Sequence, residues 1–312
     1  MAGANLPAKK YTHSNPTVTR LSFEFDGGST QFIDIGLALS VINRKFFRAG
    51  VYYYVNSVEI YNDETGVVDL HTLPDTWTTK NAWNRGFQLF QKMNALTDGP
   101  MTGVGRPKYH DFKVYFDSRH QVAGSTLPSM YDINAGSATR SADDWDYSRF
   151  VSADDDQDGN NNADEFYVHM IGPHVGSSDN WTSVGLIKSY SESRATIPVA
   201  SPNQGNVDLS DPMMNLFDFS SEEQMNEITE NLMVDNDSAP YDWNSYIGEA
   251  QASMQHVARI GTEVGVGRVG RASGFCAPFG LICVDPSGVS TAFRVVLNLA
   301  VGTYHGVYAE RA

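Results

Sequence analysis

Apolar and polar residues alternate with a period of two in short stretches along most of the chain. In "TVTRLSFEF", Leu21, Phe23 and Phe25 fall on one face of an extended strand, and the polar residues between them fall on the other. The same alternation runs through "VYYYVNSVEIYN", "GVVDLHTL", "HDFKVYFD", "EFYVHMIG", "SVGLIKSY", "ASGFCAPFGLICV" and "TAFRVVLNLAVGTYHGVYAE". Because at least eight short strands are separated by turn-rich connections, the pattern predicts an all-β sandwich or barrel.

Three stretches with helical periodicity interrupt the strands. "IDIGLALSVINRKFF" has Asp34 near the N-cap position and carries one apolar stripe, formed by Ile35, Leu39, Ile42 and Phe46. "TKNAWNRGFQLFQKM" stacks aromatic residues at helical spacing, and "SSEEQMNEITENLM" opens with the spacing of a capping box. We assign the ambiguous stretch "AQASMQHVARIGTEV" to a strand, because the glycine-rich segment behind it suits a hairpin.

No internal repeat and no composition break marks a linker. We therefore expect residues 1–312 to form a single domain with helices in its long inter-strand loops, and residues 1–16 to form an N-terminal arm. The chain is 41% hydrophobic and 12% aromatic, which is enough apolar material for a sizeable core and excludes wholesale disorder.

The expected location and redox state follow from what the chain lacks. No apolar run approaches the ~20 residues of a membrane span, and the N-terminus has no apolar core of a signal peptide. We therefore expect no membrane association and synthesis in a cytoplasm. Cys276 and Cys283 are then expected to be reduced, buried thiols, with a disulfide across a hairpin as the alternative.

The net charge of −15 and the pI of about 4.8 argue against a surface that grips nucleic acid by its phosphates. No basic arm precedes the first strand. The densest basic cluster is Arg44, Lys45 and Arg48, at the end of the first predicted helix. It is either a contact to nucleic acid or to a neighbouring subunit, or a solvated helix end whose cations suit the helix dipole.

The segment "DDDQDGNNNADE", residues 154–165, has the spacing of a calcium-binding loop. Asp154, Asp156 and Asp158 supply alternating carboxylates, Asn160 offers a backbone carbonyl, and Glu165 closes the site with two oxygens. A strand comes after the segment where a helix–loop–helix site has a helix, but oxygens at these offsets can still surround an ion. The sequence predicts Ca²⁺ binding, and a solvated acidic loop is the alternative.

Catalytic motifs are scarce, and we expect the protein not to be an enzyme. His169 and His174 have no third ligand nearby to complete a metal site, so a strand histidine with satisfied hydrogen bonds is the more ordinary interpretation. The glycine spacing of Gly265, Gly267 and Gly270 matches a dinucleotide fingerprint, but a strand follows it where a helix is required. A carboxylate pair for glycoside hydrolysis leaves no signature in sequence and stays open.

The aromatic residues of the second predicted helix allow two interpretations. Trp77, Trp83, Phe87 and Phe90 can form a platform on which bases or sugars stack. Aromatic side chains at helical spacing more often form part of the core, here beneath a helix that covers a sheet. We expect the core.

Several strings together resemble capsid proteins of small circular single-stranded DNA viruses of the Rep-encoding type, found in environmental sequence. They are "LSVINRKFFRAGVYYYVNSVEI", "LPDTWTTKNAWNRGFQLFQKM", "DNDSAPYD" and the closing "GTYHGVYAERA". The resemblance runs from about Ile33 to the C-terminus. It implies a single jelly-roll subunit that assembles into an icosahedral capsid around a small ssDNA genome. The chain departs from many such proteins because it has no arginine-rich arm, so direct DNA binding is expected to be weak or indirect.

The leading hypothesis is therefore a structural viral coat protein that works as a closed homo-oligomer within the virion. A calcium-dependent β-sandwich of the lectin type, which binds carbohydrate, is the alternative. A β-sandwich hydrolase comes third.

Overall fold

The computed structural model describes residues 16–97, 109–132, 136–139, 141–151, 165–177, 180–194, 241, 245–250, 253–262 and 268–312. The chain forms two compact units, one comprising Met1–Tyr190 with Ile247–Ala312 and the other Ser191–Tyr246. Nearly all described residues belong to the first unit.

Fifteen strands are present in the described residues. In chain order they are β1 (Arg20–Phe25), β2 (Gln31–Asp34), β3 (Val51–Tyr61), β4 (Gly66–Thr72), β5 (Ser129–Asp132), β6 (Gly136–Thr139), β7 (Arg149–Val151), β8 (Glu165–His169), β9 (Val175–Ser177), β10 (Asn180–Gly185), β11 (Gln255–Thr262), β12 (Val269–Ala277), β13 (Leu281–Ser287), β14 (Phe293–Leu299) and β15 (Ala309–Arg311). The helices are α1 (Ile35–Asn43), α2 (Trp77–Thr97), α3 (Ser118–Ala123) and α4 (Leu186–Glu192), and a 3₁₀ turn spans Pro278–Gly280.

Two antiparallel sheets form the body of the fold. The first has the strand order β1-β14-β3-β12, with β15 added along the start of β3. The second has the order β11-β4-β13-β2. The fold is therefore mostly β, and the prediction of an all-β sandwich is confirmed at that level.

The core lies between these two sheets, and the alternation of the sequence explains it. On β1, Leu21, Phe23 and Phe25 are fully buried, as predicted, while Ser22 and Glu24 between them are more exposed. The inward residues of β14 that the sequence placed on one face, Phe293 to Leu299 at every second position, are also buried. One continuous apolar cluster joins both sheets, as expected when one face of each sheet avoids water.

The first helix begins where the sequence predicts. The side chain of Asp34 accepts a hydrogen bond from the backbone N–H of Leu37 at 3.1 Å, which caps the helix. The helix ends at Asn43, so Phe46, predicted to continue the apolar stripe, lies beyond it in the following turn.

The aromatic stripe of α2 belongs mainly to the core. Trp83 and Phe90 are buried, and the Trp83 ring stacks on Phe279 with centroids 5.4 Å apart. A Cβ atom on Gly50 would overlap the Trp83 ring, so the helix packs directly on the backbone that leads into β3. Trp77, at the start of the helix, is exposed, so the prediction that it belongs to the core is wrong.

One of the predicted strands is wrong, and a second is wrong in its second half. "HDFKVYFD" forms no regular strand, because its backbone hydrogen bonds go to different partners: Lys113 O accepts from Ser148 N, and Tyr115 N donates to Val168 O. The second half of "SVGLIKSY" is the helix α4, since the strand β10 ends at Gly185. The stretch assigned to a strand near residue 255 is confirmed as β11.

A smaller sheet of order β7-β8-β10-β9 lies outside the two main sheets, with β8 and β10 parallel, and β5 pairs with β6. Both cysteines are free, with Cys283 buried and Cys276 partly buried, and burial raises the pKa of both thiols, that of Cys276 to about 11 and that of Cys283 to about 12. Among the described helices, none is both long and apolar enough to cross a membrane. The predicted helix "SSEEQMNEITENLM" lies outside the described residues.

Candidate functional site: a cationic and aromatic pocket

The turn that carries the predicted basic cluster is shaped by the end of α1. Arg44 follows the helix in the left-handed conformation, with φ of 51°. The Asn43 side chain fixes this end: its Nδ2 donates to the carbonyls of Leu39 and Val18 at 3.1 Å each, and its Oδ1 accepts from the N–H of Val18 at 2.6 Å. Residues 44–50 then form the irregular segment that connects this helix end to β3.

The segment between β14 and β15 forms the opposite wall. Val307 N donates to Tyr304 O at 2.7 Å, which closes a tight turn with His305 at φ 48° and Gly306 at φ 85°. The hydroxyl of Thr17 donates to the carbonyl of His305 and ties the turn to the chain before β1. The positive φ at His305 is a conformation that ordinary residues adopt at a cost, so surrounding contacts must hold this turn.

The two walls enclose a pocket of about 320 Å³. Its lining consists of Phe46, Arg48, Val51, Tyr304, His305, Ala309 and Arg311. The backbone N–H of Arg48 donates to the Tyr304 hydroxyl at 3.3 Å. Phe47, which is fully buried, contacts the His305 ring edge-on at 5.3 Å between centroids, so the walls are packed together beneath the pocket.

The charge of the pocket is opposite to that of the chain. Two guanidinium groups line it, those of Arg48 and Arg311, and no carboxylate does. Among the described residues, neither arginine has an ion-pair partner within 4.0 Å. The nearby Asp111 carboxylate already accepts the N–H of Ala49 at 3.1 Å and that of Phe112 at 3.0 Å. Burial raises the pKa of Tyr304, so its hydroxyl stays protonated at neutral pH.

Aromatic side chains continue from the pocket along one side. The Phe46 ring lies 5.8 Å from the ring of Tyr109 and 6.1 Å from that of Trp145, measured between centroids. The Lys113 ammonium lies 4.5 Å from the Trp145 ring centroid. Tyr109 is 56% exposed, so the aromatic surface reaches solvent. The arrangement offers cationic groups for an anion and ring faces for a planar group.

The structure brings one of the three predicted basic residues into this pocket. Arg48 is exposed and lines the pocket, whereas exposed Arg44 and partly exposed Lys45 are not among the lining residues. The sequence interpretation missed His305 and Arg311, which approach Arg48 only after the chain has formed both sheets. The string "TYHGVY" belongs to the closing capsid-like string, but no local pattern connects Tyr304 to Arg48, 256 positions earlier.

The predicted calcium loop is mostly beyond what the structure describes. Asp154, Asp156, Asp158 and Asn160 lie outside the described residues. Glu165 is the first residue of β8 and forms an ion pair with Arg149 at 2.9 Å. Within the described part of the chain, no three His, Cys, Asp or Glu residues are placed to hold a metal ion. Calcium binding by the loop therefore stays a prediction.

The two histidines of "HMIGPH" have ordinary structural roles. His169 is fully buried; its Nδ1 accepts from the Ser183 hydroxyl at 2.6 Å, and its Nε2 donates to the Pro173 carbonyl at 3.1 Å. His174 accepts the N–H of Gly185 at 3.1 Å. Burial lowers the pKa of His169 to about 4. The prediction of a strand histidine with satisfied hydrogen bonds is confirmed for His169, whereas His174 lies in the connection between β8 and β9.

A buried chain of hydrogen bonds resembles a catalytic triad but runs in the wrong direction for one. His120 Nδ1 accepts the N–H of Phe116 at 3.0 Å, so Nε2 carries the proton and donates to the Ser125 hydroxyl at 2.7 Å. Ser125 then donates to Tyr147 at 2.6 Å, and Tyr147 donates to Asp34 at 3.2 Å. His120 therefore cannot take a proton from Ser125, and the chain serves to anchor the loops to the sandwich.

Comparison with known proteins adds no assignment. No protein-family model matches the chain, and no curated protein and no solved structure shows significant similarity to it.

Proposed function

We propose that this chain is a viral coat protein: a jelly-roll subunit that assembles into an icosahedral capsid around a small ssDNA genome. The observation that carries the proposal is the nesting of its strand pairs. Without the short strand β15, the two main sheets contain eight described strands, and in chain order these pair first with eighth, second with seventh, third with sixth and fourth with fifth.

All four nested pairs are antiparallel: β1 with β14, β2 with β13, β3 with β12, and β4 with β11. Two further pairs, β14 with β3 and β13 with β4, join these eight strands into the two main sheets, and β15 adds a fifth strand to the first sheet. Rolling up a long hairpin into a jelly roll produces nested pairs of this kind, so the nesting supports the proposed jelly roll, an arrangement that viral capsid proteins and some carbohydrate-binding domains use. The nesting is independent of the sequence strings that resemble capsid proteins, so two separate lines of reasoning support the proposal.

The proposal predicts that some exposed apolar side chains of the unit become buried at contacts between copies of the chain. Several large apolar side chains are exposed, among them Val122 at 90% and Val301 at 81%. Scattered exposed apolar residues are normal, but a shell subunit needs such residues on several sides at once to contact its neighbours.

Charge sets how such a shell holds a genome. With −15 per subunit, a shell of sixty copies carries on the order of 900 negative charges from protein alone. The DNA therefore binds weakly or through bound cations, to which the acidic segment at 154–165 contributes if it binds calcium.

Light scattering on the purified protein tests the proposal. We expect particles of about sixty subunits or a multiple, because closed symmetry is how one kind of subunit satisfies all its interfaces. A molar mass of a monomer or dimer across salt, pH and calcium conditions would contradict assembly. Monomers that bind glycans would favour the lectin alternative, which shares the nested strand pairs and the predicted calcium loop.

A further inference from the structure

We propose that the pocket between Arg48 and Arg311 binds one nucleotide unit of single-stranded nucleic acid. The phosphate lies between the two guanidinium groups, and the base stacks on the aromatic rings at the rim. The inference rests on the proposed function for the source of the strand, which is the enclosed genome. It adds the site at which an acidic subunit contacts that genome.

The size and charge of the pocket match one nucleotide. A volume of about 320 Å³ is at the lower end of small-molecule sites and suits a single phosphate with its sugar and base. Arginine forks bind phosphate oxygens in pairs, and no carboxylate lines the pocket to compete for Arg48 and Arg311. In a chain with 37 acidic and 22 basic residues, a lining of this composition concentrates positive charge where the rest of the chain has little.

The aromatic residues indicate a base in addition to the phosphate. The rings of Phe46, Tyr304 and His305 line the pocket, and Tyr109 extends the aromatic surface toward solvent. Binding of single strands typically combines cations along the backbone with aromatic rings that stack on bases of any sequence. A simple anion would leave these rings without a role in binding.

The walls are already in place without the ligand. Among the described residues, three non-glycine residues have positive φ, and two of them, Arg44 and His305, stand at the two turns that form the pocket. The side-chain bonds of Asn43 and the packing of Phe47 hold both turns. A preformed site loses less entropy on binding, which favours recognition of a flexible strand.

A single strand fits this geometry better than a duplex. In a duplex the bases are paired and stacked inside, so a base cannot reach the rings when its phosphate lies between Arg48 and Arg311. We therefore expect a single strand to bind more tightly than a duplex of equal length.

The test measures binding of a fluorescent twelve-nucleotide oligothymidylate to the full-length protein by anisotropy at low salt. We expect Arg48→Gln/Arg311→Gln to weaken binding at least tenfold and to reduce the slope of log K against log salt by about 0.7, the value for one lost phosphate contact on a single strand. Arg48→Lys/Arg311→Lys, which keeps the charge but loses the forks, should weaken binding with a smaller change in slope. Phe46→Leu/His305→Asn should weaken binding and leave the slope unchanged, since asparagine tolerates the positive φ at 305.

The control is Arg259→Gln/Arg271→Gln, which removes the same charge from strands β11 and β12 and should change binding less than twofold. The inference is overturned if the parent does not bind, if pocket and control variants weaken binding equally, or if a duplex binds as tightly. It is also overturned if inorganic phosphate competes as well as thymidine monophosphate. Light scattering on the same samples separates the two proposals: particles without oligonucleotide binding contradict only the pocket, and binding without particles contradicts only the shell.

Discussion

Lowering the pH from 7.5 to 5 should destabilise the fold, and the three buried histidine and aspartate side chains with the largest pKa shifts dominate the change. Burial lowers the pKa of His120 to about 3 and that of His169 to about 4, whereas burial raises the pKa of Asp34 to about 6. All three side chains are at most 2% exposed. The two histidines and the aspartate therefore act on the pH dependence in opposite directions. Burial also lowers the pKa of His71, which adds to the loss of stability in the same direction as the two buried histidines.

The sign follows from which state binds protons more readily. Both histidines bind a proton less readily in the folded state than in the unfolded state. Each therefore lowers the free energy of unfolding as the pH falls below 6.5, by about 2 kcal/mol at pH 5. Asp34 binds a proton more readily in the folded state, so its protonation raises the free energy of unfolding by roughly 1.4 kcal/mol as the pH falls from about 7 to 5. The net expected loss is about 2.5 kcal/mol from these groups.

Urea unfolding at pH 7.5, 6 and 5 measures this loss, and single variants assign it. Asp34→Asn keeps the N-cap but removes the carboxyl group whose protonation offsets part of the loss. The loss of stability of this variant between pH 7.5 and 5 should therefore rise to about 4 kcal/mol. His120→Gln can retain both hydrogen bonds, and its loss should fall to about 0.5 kcal/mol. His110→Gln, at an exposed position, serves as the control and should follow the parent. A parent whose stability is unchanged from pH 7.5 to 5, or an Asp34→Asn variant with a smaller loss, would refute the reasoning.

Two further predictions concern the core and the acidic loop. Phe23→Ala should lower the free energy of unfolding in urea by about 3–5 kcal/mol, because Phe23 is fully buried between the sheets. Ser22→Ala, on the other face of the strand, should lower it by less than about 0.5 kcal/mol. Equal losses for the two variants would mean that the sheets do not pack this way. Calcium should raise the melting temperature of the parent relative to chelator and leave that of Asp156→Ala/Glu165→Ala unchanged. Arg149→Ala is the control for the ion pair that Glu165→Ala removes. A melting temperature that calcium leaves unchanged in every sample would exclude a calcium site.

Elements set by local chemistry could be predicted from the sequence. The alternation in β1 specifies a buried face because a shift of one residue would place three apolar side chains in water. Asp34 marks the start of α1 because its short carboxylate can reach the N–H groups of the first turn. Both signals depend on residues within one or two turns of each other, so no tertiary information is needed to read them.

The sequence-based predictions that are wrong or incomplete concern residues whose contacts lie far away in the chain. "HDFKVYFD" alternates like a strand, yet Tyr115 and its neighbours meet different segments on different sides, which prevents a regular ladder. The apolar run from Leu186 suits a helix or a strand equally, and the structure makes it a helix. Likewise, Arg48 and Arg311 share a pocket only because β15 pairs with the start of β3. Sequence spacing cannot reveal such a pair.

The most direct test of the coat-protein proposal is electron cryomicroscopy of the purified full-length chain. The proposal predicts closed particles with icosahedral symmetry, in which each subunit contains the two main sheets with the pairing of β1 with β14 and β4 with β11. Dispersed monomers, small open oligomers or filaments at all calcium concentrations and pH values tested would contradict it.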